Sequence, residues 1–230
     1  MKIAMIPARG GSKRIPRKNI KAFHGKPIIA YSIEAAINCR LFDEVVVSTD
    51  DQEIATIAQK YGAKVPFFRP DALSDDYATT VDVIKHTLNW YAEHSIGISF
   101  ICCIYATAPF IKQAALIEGY QAITKQGYQY AFAATEFNFP IQRAIRVSDK
   151  GAVSMFNSEH LNTRSQDLEK AYHDVGQFYW GNAKAFNNDL PLYSTDAYAV
   201  IIPDIDARDI DTMEDWSFAE ALYKISHMPS

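Results

Sequence analysis

MKIAMIPARGGSKRIPRKN, residues 1–19, is the stretch that decides how the rest of the chain is interpreted. An apolar run over residues 3–6 ends at Pro7, and a loop with Gly10 and Gly11 follows. Short apolar runs that end at Pro and Gly are typical of buried strands. Paired glycines let backbone N–H groups form a concave anion site, and nearby cations add charge for phosphate oxygens. The stretch therefore predicts a strand and then a polyphosphate-binding loop, whose cations are Arg9, Lys13, Arg14, Arg17 and Lys18.

The distribution of charge along the chain supports this prediction. Residues 1–33 contain eight Lys and Arg but no Asp or Glu, so they carry +8, and the remainder carries −12 to give the net charge of −4. A solvated basic surface loop would show the same run of cations. A basic pocket in an acidic body favours a small anionic ligand over nucleic acid, which needs a long basic face. The loop has the spacing of neither a Walker motif nor a dinucleotide fingerprint.

Length and composition place the chain among ordinary globular proteins. Its 230 residues suit one α/β domain, and 48% apolar with 22% charged residues argues against disorder. The three cysteines lack metal or redox spacing, and Cys102 and Cys103 lie in an apolar run that predicts reduced core residues. The N-terminus has the pattern of a strand, and no apolar run approaches the ~20 residues of a membrane span. We therefore expect a cytoplasmic protein with no membrane partner.

Strands and helices alternate along most of the chain. Apolar patterns predict strands over residues 44–48, 65–68, 98–104, 130–135, 177–180 and 198–202. They predict helices over residues 28–39, 52–61, 81–94, 113–125, 182–187 and 213–225. This alternation predicts the α/β class with a doubly wound, mostly parallel sheet, which binds ligands beyond the carboxyl ends of its strands. The segment 98–104 is nearly all apolar and is expected at the centre of the sheet.

The alternation stops over residues 136–176, which are polar and show no long period. About 40 residues without periodicity are unusual as a plain loop inside a compact domain. We therefore predict a single domain over residues 1–230 with an inserted arm at about 136–176, built from short strands and a helix. Dimerisation is the simplest role for this arm, and closure over the active site is a second one.

An acidic stretch precedes the last predicted helix. Residues 204–215 hold six acids and one cation. In an extended backbone Asp209 and Asp211 project to the same side, and two carboxylates on one face suit Mg²⁺. Capping of the final helix by Thr212 and Asp215 explains part of the pattern equally well. Both interpretations can hold, because the two aspartates precede the cap.

These motifs resemble those of a known enzyme family. The opening loop contains Ala8-Arg9-Gly10-Gly11-Ser12-Lys13, Pro16 and Lys18-Asn19, and the acidic stretch contains Asp209-Ile210-Asp211-Thr212. Together with residues 45–50 and Phe68-Arg69-Pro70, they resemble the cytidylyltransferases that activate nonulosonic acids, the nine-carbon acidic sugars that include sialic acid. The motifs follow the family order over essentially the whole chain. The resemblance implies a nucleotide-diphospho-sugar transferase-like, Rossmann-type fold.

The resemblance also implies a reaction, in which CMP passes from CTP to the anomeric hydroxyl of a nonulosonic acid and pyrophosphate leaves. Where the sialic acid branch has Gln-Pro-Thr-Ser-Pro, residues 105–109 read Tyr-Ala-Thr-Ala-Pro. Residues 139–143, 162–168 and 177–181 are instead similar to the pseudaminic acid cytidylyltransferases, so pseudaminic acid is the expected substrate. Legionaminic, sialic and 3-deoxy-octulosonic acids are the alternatives. A non-catalytic CTP sensor is the alternative of another class, and the retained Asp209 and Asp211 disfavour it.

The resemblance further implies roles for individual residues. The expected catalytic residues are Arg9, Lys18, Asp209 and Asp211, of which the two aspartates would carry Mg²⁺ and one would deprotonate the sugar. The residues expected at CTP are Ala8, Gly10, Gly11, Ser12, Lys13, Asn19, Arg69 and Thr79. Those expected at the sugar are Tyr105, Gln142, Arg143, Arg164, Tyr179 and Trp180. The sugar carboxylate calls for a bidentate arginine, and Arg143 or Arg164 could supply it within the chain or across a homodimer.

Overall fold

A computed structural model describes residues 1–75 and 77–226 of the chain. Its strands are β1 (Lys2–Pro7), β2 (Ala22–Phe23), β3 (Lys26–Pro27), β4 (Glu44–Ser48), β5 (Phe100–Ile104), β6 (Tyr130–Glu136), β7 (Ile145–Val147), β8 (Val153–Met155), β9 (Tyr172–Asn182) and β10 (Ala197–Ile201). Its α-helices are α1 (Ile29–Asn38), α2 (Gln52–Lys60), α3 (Thr80–Glu93), α4 (Gln113–Lys125), α5 (Ala183–Asn187) and α6 (Met213–Ser226).

Six strands form the central sheet in the order β10-β6-β9-β5-β1-β4. Strand β9 runs antiparallel to both of its neighbours, and the other pairs are parallel. Met5 of β1 stands opposite Val46 on one side and Cys103 on the other. Strand β5 lies inside the sheet, as its apolar sequence predicts. The α/β class with a mostly parallel, doubly wound sheet is therefore confirmed.

Helices cover both faces of the sheet, because its inner strands are apolar on both sides. On one face α1, α2 and α4 bury residues such as Ile33, Ile54 and Leu116. On the other face α3 and α5 bury Leu88 and Phe186, among others. Cys102 and Cys103 are fully buried on opposite faces as free thiols, which confirms their predicted place in the core. A third apolar cluster packs α6 against the β2–β3 hairpin.

One predicted strand differs from the structure. Residues 64–68 make only two isolated bridges, Lys64 with Val46 and Phe68 with Thr49, in place of the regular strand expected over residues 65–68. Pro66 explains this difference, since it has no N–H to donate to a ladder. Helix α2 is capped by Asp51, whose side chain accepts the N–H groups of Glu53 and Ile54.

The polar insertion leaves the sheet after β6 and returns at β9. It contains the short β7–β8 hairpin and three 3₁₀ turns, Ile141–Arg143, Ser158–His160 and Ser165–Asp167. The 3₁₀ turns replace the helix expected there. The arm is shorter than predicted, because residues 172–176 already belong to β9. The pairing of β9 with β6 begins at Tyr172, opposite Glu136. Within the described ranges no helix is long and apolar enough to cross a lipid bilayer.

Candidate active site

A cleft of about 610 Å³ opens beyond the carboxyl ends of β1 and β5. Parallel strands end at the same edge of a sheet, so the residues that follow them meet there. The opening loop contributes from the start of the chain and the acidic stretch from its end. Among the residues predicted from the sequence, those that line the cleft are Arg9, Ser12, Lys13, Lys18, Asn19, Arg69, Thr79, Tyr105 and Asp211.

The basic loop is clamped to the start of α2 by Arg17. The Arg17 backbone is left-handed, with φ 57°, and its guanidinium donates to both Asp51 oxygens at 2.5 and 2.9 Å and to Glu53 at 2.5 Å. The hydrogen bond from Arg17 lowers the pKa of Asp51 to about 2, and the helix N–H groups act in the same direction. Asp51 therefore remains a carboxylate while it caps α2 and holds the loop at once.

Gly10 lies so close to α2 that a side chain would not fit. A Cβ atom at this position would lie 2.8 Å from Asp51 Oδ2. The Gly10 N–H donates to Asp50 Oδ1 at 2.8 Å, and the Ser12 N–H donates to the Gly10 carbonyl at 3.0 Å. That amide already has an acceptor in the protein, so phosphate binding by Gly10 stays a prediction and would require displacement of Asp50. Gly11, the other glycine of the expected nest, is exposed.

Two cations of the loop meet the acidic stretch. Lys18 Nζ donates to the Ile210 carbonyl at 2.6 Å and to Asp211 Oδ1 at 3.3 Å. Arg14 Nη2 lies 2.9 Å from the same Asp211 oxygen. Arg14 lines the cleft, although its sequence position predicted no role beyond its place in the basic loop. The contacts hold the two ends of the chain together around one carboxylate.

Arg9 and Asn19 connect the loop to the far wall of the cleft. Arg9 Nη1 donates to the Asp75 carbonyl at 2.5 Å. Asn19, which is buried, donates from Nδ2 to the Arg9 carbonyl at 2.9 Å. Asn19 thus lines the cleft as predicted and fixes the backbone of Arg9.

Arg69 is the most deeply buried cation of the cleft. It is 6% exposed, and its Nε and Nη2 atoms have no hydrogen-bond partner among the described residues. Burial lowers the pKa of Arg69, and the charge of Asp50 opposes this change. A buried guanidinium with unpaired donors is costly, so an acceptor from a ligand would be favoured at this position.

Asp209 and Asp211 are close enough to influence each other. Loss of solvent around the Asp209 carboxyl raises its pKa, and the charge of Asp211 raises it further. Asp211 lines the cleft, whereas Asp209 is absent from its described lining. Within the described ranges no group of three or more His, Cys, Asp or Glu is arranged around a common point. The donor set is therefore two like-charged carboxylates beside a phosphate-sized cleft, which fits Mg²⁺ with other ligands from phosphate and water.

A second cavity, of about 490 Å³, adjoins the cleft and shares Thr79, Thr80 and Tyr105 with it. We call it the tyrosine pocket, because its wall includes Tyr105, Tyr130, Tyr179 and Tyr193. Phe186 and Leu192 add apolar surface. Tyr105 and Tyr179 were predicted from the sequence. Tyr130, Tyr193 and Leu192 were not, since no local motif marks them.

Comparison with known proteins identifies the family to which a chain with this site belongs. A family model described as cytidylyltransferase matches residues 3–203. The chain belongs to the cytidylyltransferase family. A pseudaminic acid cytidylyltransferase of Campylobacter jejuni is 46% identical over 98% of this chain and 97% of its own length. An N-acylneuraminate cytidylyltransferase of Escherichia coli is 31% identical over 94% of this chain and 51% of its own length. In fold, the chain is similar to a CMP:2-keto-3-deoxy-manno-octonic acid synthetase solved with CTP. The TM-score is 0.70 and the identity 19%, and the match covers 98% of this chain and 99% of that one.

Two residues predicted at the site of this cytidylyltransferase lie in its core. Trp180 is fully buried, stacks on Phe42 at 4.9 Å and donates from Nε1 to the Leu116 carbonyl at 3.0 Å. It lies on the opposite face of β9 from Tyr179, because successive strand residues alternate. The prediction that Trp180 contacts the sugar is therefore wrong. Ala8 is also fully buried, in the same apolar cluster as Trp180.

The arm residues predicted at the sugar lie apart from both cavities in the described structure. Gln142 donates to the Glu169 carbonyl at 3.0 Å, and Arg143 reaches Ser165 Oγ at 3.4 Å. Arg164 pairs with Asp167 at 2.7 Å. These contacts lie within the arm itself. One chain therefore does not bring Gln142, Arg143 or Arg164 to the cleft, and a role at the sugar would require a second subunit or closure of the arm.

Proposed function

We propose that this cytidylyltransferase transfers CMP from CTP to the anomeric hydroxyl of pseudaminic acid, with release of pyrophosphate. The observation that carries the proposal is the junction of two cavities with different chemistry. A cleft rich in cations suits a triphosphate, and an adjoining pocket of aromatic and apolar residues suits the body of a deoxy sugar. The 46% identity to the Campylobacter jejuni enzyme supports the choice of sugar.

The cations of the cleft would hold the triphosphate. Arg9, Lys13 and Lys18 reach it from the opening loop, and Arg69 offers unpaired donors from the opposite wall. Transfer at phosphorus depends on alignment and on neutralised charge more than on covalent help from the protein. The contacts of Lys18 with Asp211 and Ile210 place its charge before the ligand arrives. We assign Ser12, Asn19 and Thr79 to the same ligand.

The transfer itself needs one proton acceptor. The anomeric oxygen attacks the α-phosphorus, the bond from that phosphorus to the oxygen bridging to the β-phosphate breaks, and the hydroxyl proton is lost. We assign the proton to a carboxylate of the Asp209–Asp211 pair. The same pair would hold Mg²⁺, which when bound supplies charge neutralisation to the phosphate oxygens. The ion pairs of Asp211 with Arg14 and Lys18 orient its carboxylate.

The arm would form a homodimer. Its apolar side chains are unusually exposed, with Phe139 at 83%, Val147 and Val153 at 63% and Leu161 at 61%. An apolar set of this kind on a projecting element is typical of a subunit interface. A dimer would also give Gln142, Arg143 and Arg164 access to the partner's cleft. Sedimentation should give about twice the monomer mass of 25.9 kDa. Val147→Glu should dissociate the dimer, whereas Lys150→Glu at the hairpin tip should not.

Pyrophosphate release tests the proposed reaction. The enzyme is supplied with CTP, Mg²⁺ and one of several acids: pseudaminic, legionaminic, sialic or 3-deoxy-octulosonic. Pseudaminic acid should give the highest kcat/KM. A higher value with another acid would reassign the sugar. Binding of CTP with no pyrophosphate from any acid would identify a sensor and overturn the proposal. We also propose a cytoplasmic location, because the reaction consumes the nucleotide CTP as a substrate.

A further inference from the structure

Two phenols of the tyrosine pocket converge on one carboxylate that lies behind the pocket wall. The hydroxyls of Tyr179 and Tyr193 both lie 2.7 Å from Asp174 Oδ2. The other oxygen, Oδ1, accepts the Gly176 N–H at 2.8 Å. Both carboxylate oxygens are therefore engaged, and Asp174 is held in place from two sides.

An irregularity in β9 puts Asp174 there. Phe132 of β6 stands opposite Tyr179, but Ala134, two residues on, stands opposite Asp174, which is five residues from Tyr179. The extra residues of β9 form a bulge, and Gly176 within it has φ 59°. A bulge of this kind re-aims side chains at the edge of a site. Here it returns Asp174 toward the hydroxyl of a tyrosine on its own strand.

The chemistry of a carboxylate decides the direction of these hydrogen bonds. An ionised carboxylate only accepts, so both phenols must donate their hydrogens to Asp174. Burial and the hydrogen bond to Asp174 raise the pKa of Tyr193 to about 12, and burial also raises the pKa of Tyr179. Both phenols are thus protonated at neutral pH. Tyr130 likewise donates its hydrogen to the protein, to the Leu190 carbonyl at 3.0 Å.

Three of the four tyrosines in the described pocket wall therefore already donate their hydroxyl hydrogens to groups of the protein. Their oxygens can offer only lone pairs to a ligand, so this wall accepts N–H and O–H groups. The described lining of the pocket contains no cation, and its two carboxylates already have partners: Asp189 pairs with Lys85 at 2.5 Å, and Asp82 accepts from Thr79 Oγ1 at 2.6 Å. A sugar carboxylate would therefore be favoured in the adjoining cleft, which holds the cations.

We propose that Asp174 is a positioning residue that fixes the tyrosine pocket as an acceptor of hydrogen bonds and so orients the acidic sugar. The acylamino N–H and hydroxyl groups of the sugar enter the pocket, and its carboxylate faces the cleft. This inference rests on the proposed function, since it concerns the sugar of that reaction.

The test is Asp174→Asn, which keeps the size of the side chain but can donate to the phenols. The KM for the sugar should rise about tenfold, because two hydrogen bonds to a carboxylate are replaced by weaker ones to a neutral amide, while kcat and the KM for CTP stay within about twofold. Asp149→Asn, at the exposed tip of the β7–β8 hairpin, is the matched control and should leave all three constants unchanged.

A substrate analogue separates orientation from general damage. The wild type should prefer the acylamino sugar over an analogue with O-acyl groups in their place, which lacks the N–H donors, and Asp174→Asn should reduce that preference severalfold. An unchanged sugar KM and preference in Asp174→Asn would overturn the inference. So would parallel losses in the KM for CTP, kcat and melting temperature, which would show a purely structural role. Absence of turnover and of calorimetric sugar binding in the wild type would overturn the proposed function as well.

Discussion

The cleft and the tyrosine pocket share three residues but are built in different ways. The cleft takes most of its cations from one continuous loop, and these cations are paired in advance with Asp211, Asp75 and the start of α2. The pocket takes one tyrosine from each of four distant segments, and their hydroxyls contact Asp174, the Leu190 carbonyl and Thr80. Charge defines the first region, and the direction of the tyrosine hydrogen bonds defines the second. Substitutions in the two regions should therefore affect different substrates.

The largest effect is expected from Asp211→Asn, at the centre of the cleft. Removal of a charge that positions the reacting groups typically costs about 10²–10³ in kcat. We expect at least about a hundredfold loss with little change in melting temperature, since the partners of Asp211 are partly exposed. Steady-state kinetics at limiting Mg²⁺ measure it, with Glu214→Gln as the control in the same segment. Normal rates in both Asp209→Asn and Asp211→Asn would remove these residues from the mechanism.

The next effect concerns the cations of the loop. A charge-assisted hydrogen bond contributes about 1.5–3 kcal/mol, which corresponds to about one to two decades. Arg9→Ala and Lys18→Ala should therefore lower kcat/KM for CTP by at least about tenfold, with the sugar KM less affected. Lys2→Ala, at the start of β1 and away from the cleft, should be nearly silent. If all three variants behaved alike, the loop would be a solvated basic surface.

A smaller effect, on the KM for the sugar alone, should distinguish the tyrosine pocket from the cleft. Leu192 is half-buried in the wall of the tyrosine pocket. Leu192→Ala removes apolar contact and should raise the KM for the sugar about fivefold, with the KM for CTP unchanged. Ile225→Ala, an exposed aliphatic residue near the end of α6, is the control. An equal rise in both KM values would mean that the two cavities act as one site.

The smallest effect is on stability and depends on pH. The pKa of Asp51 is about 2 in the folded protein, below its value of about 3.9 in an unfolded chain. Its ion pair with Arg17 therefore stabilises the fold above about pH 4, and the contribution disappears as the pH falls toward 2. Arg17→Ala should lower the free energy of unfolding by about 1 kcal/mol at pH 7, a value limited by solvent screening.

Thermal melts at several pH values check this expectation. The difference between wild type and Arg17→Ala should shrink as the pH falls from 4 to 2.5. A difference that stays constant over this range would show that the contact does not depend on the Asp51 carboxylate. Arg40→Ala, an exposed arginine at the end of α1, is the control and should show no such dependence.

The sequence alone determined the frame of the protein and half of its candidate site. Apolar runs and helical periods need only neighbouring residues, so the doubly wound sheet and the helix Gln113–Lys125 follow from them directly. The basic loop and the Asp209–Asp211 pair are likewise local patterns. The basic loop and Asp211 line the cleft, whereas Asp209 is absent from its described lining.

Tertiary structure alone decided the contacts that depend on distant segments. In the folded chain the Gly10 N–H donates to Asp50, Trp180 lies in the core, and the arginines of the arm lie outside the cleft. It also aimed Asp174 at Tyr179 and Tyr193 through a bulge in β9 that no sequence period records. The reason is physical: a strand period states only that side chains alternate. Which neighbour faces a cavity, and which hydrogen bonds are already satisfied, depends on the register and packing of the whole sheet.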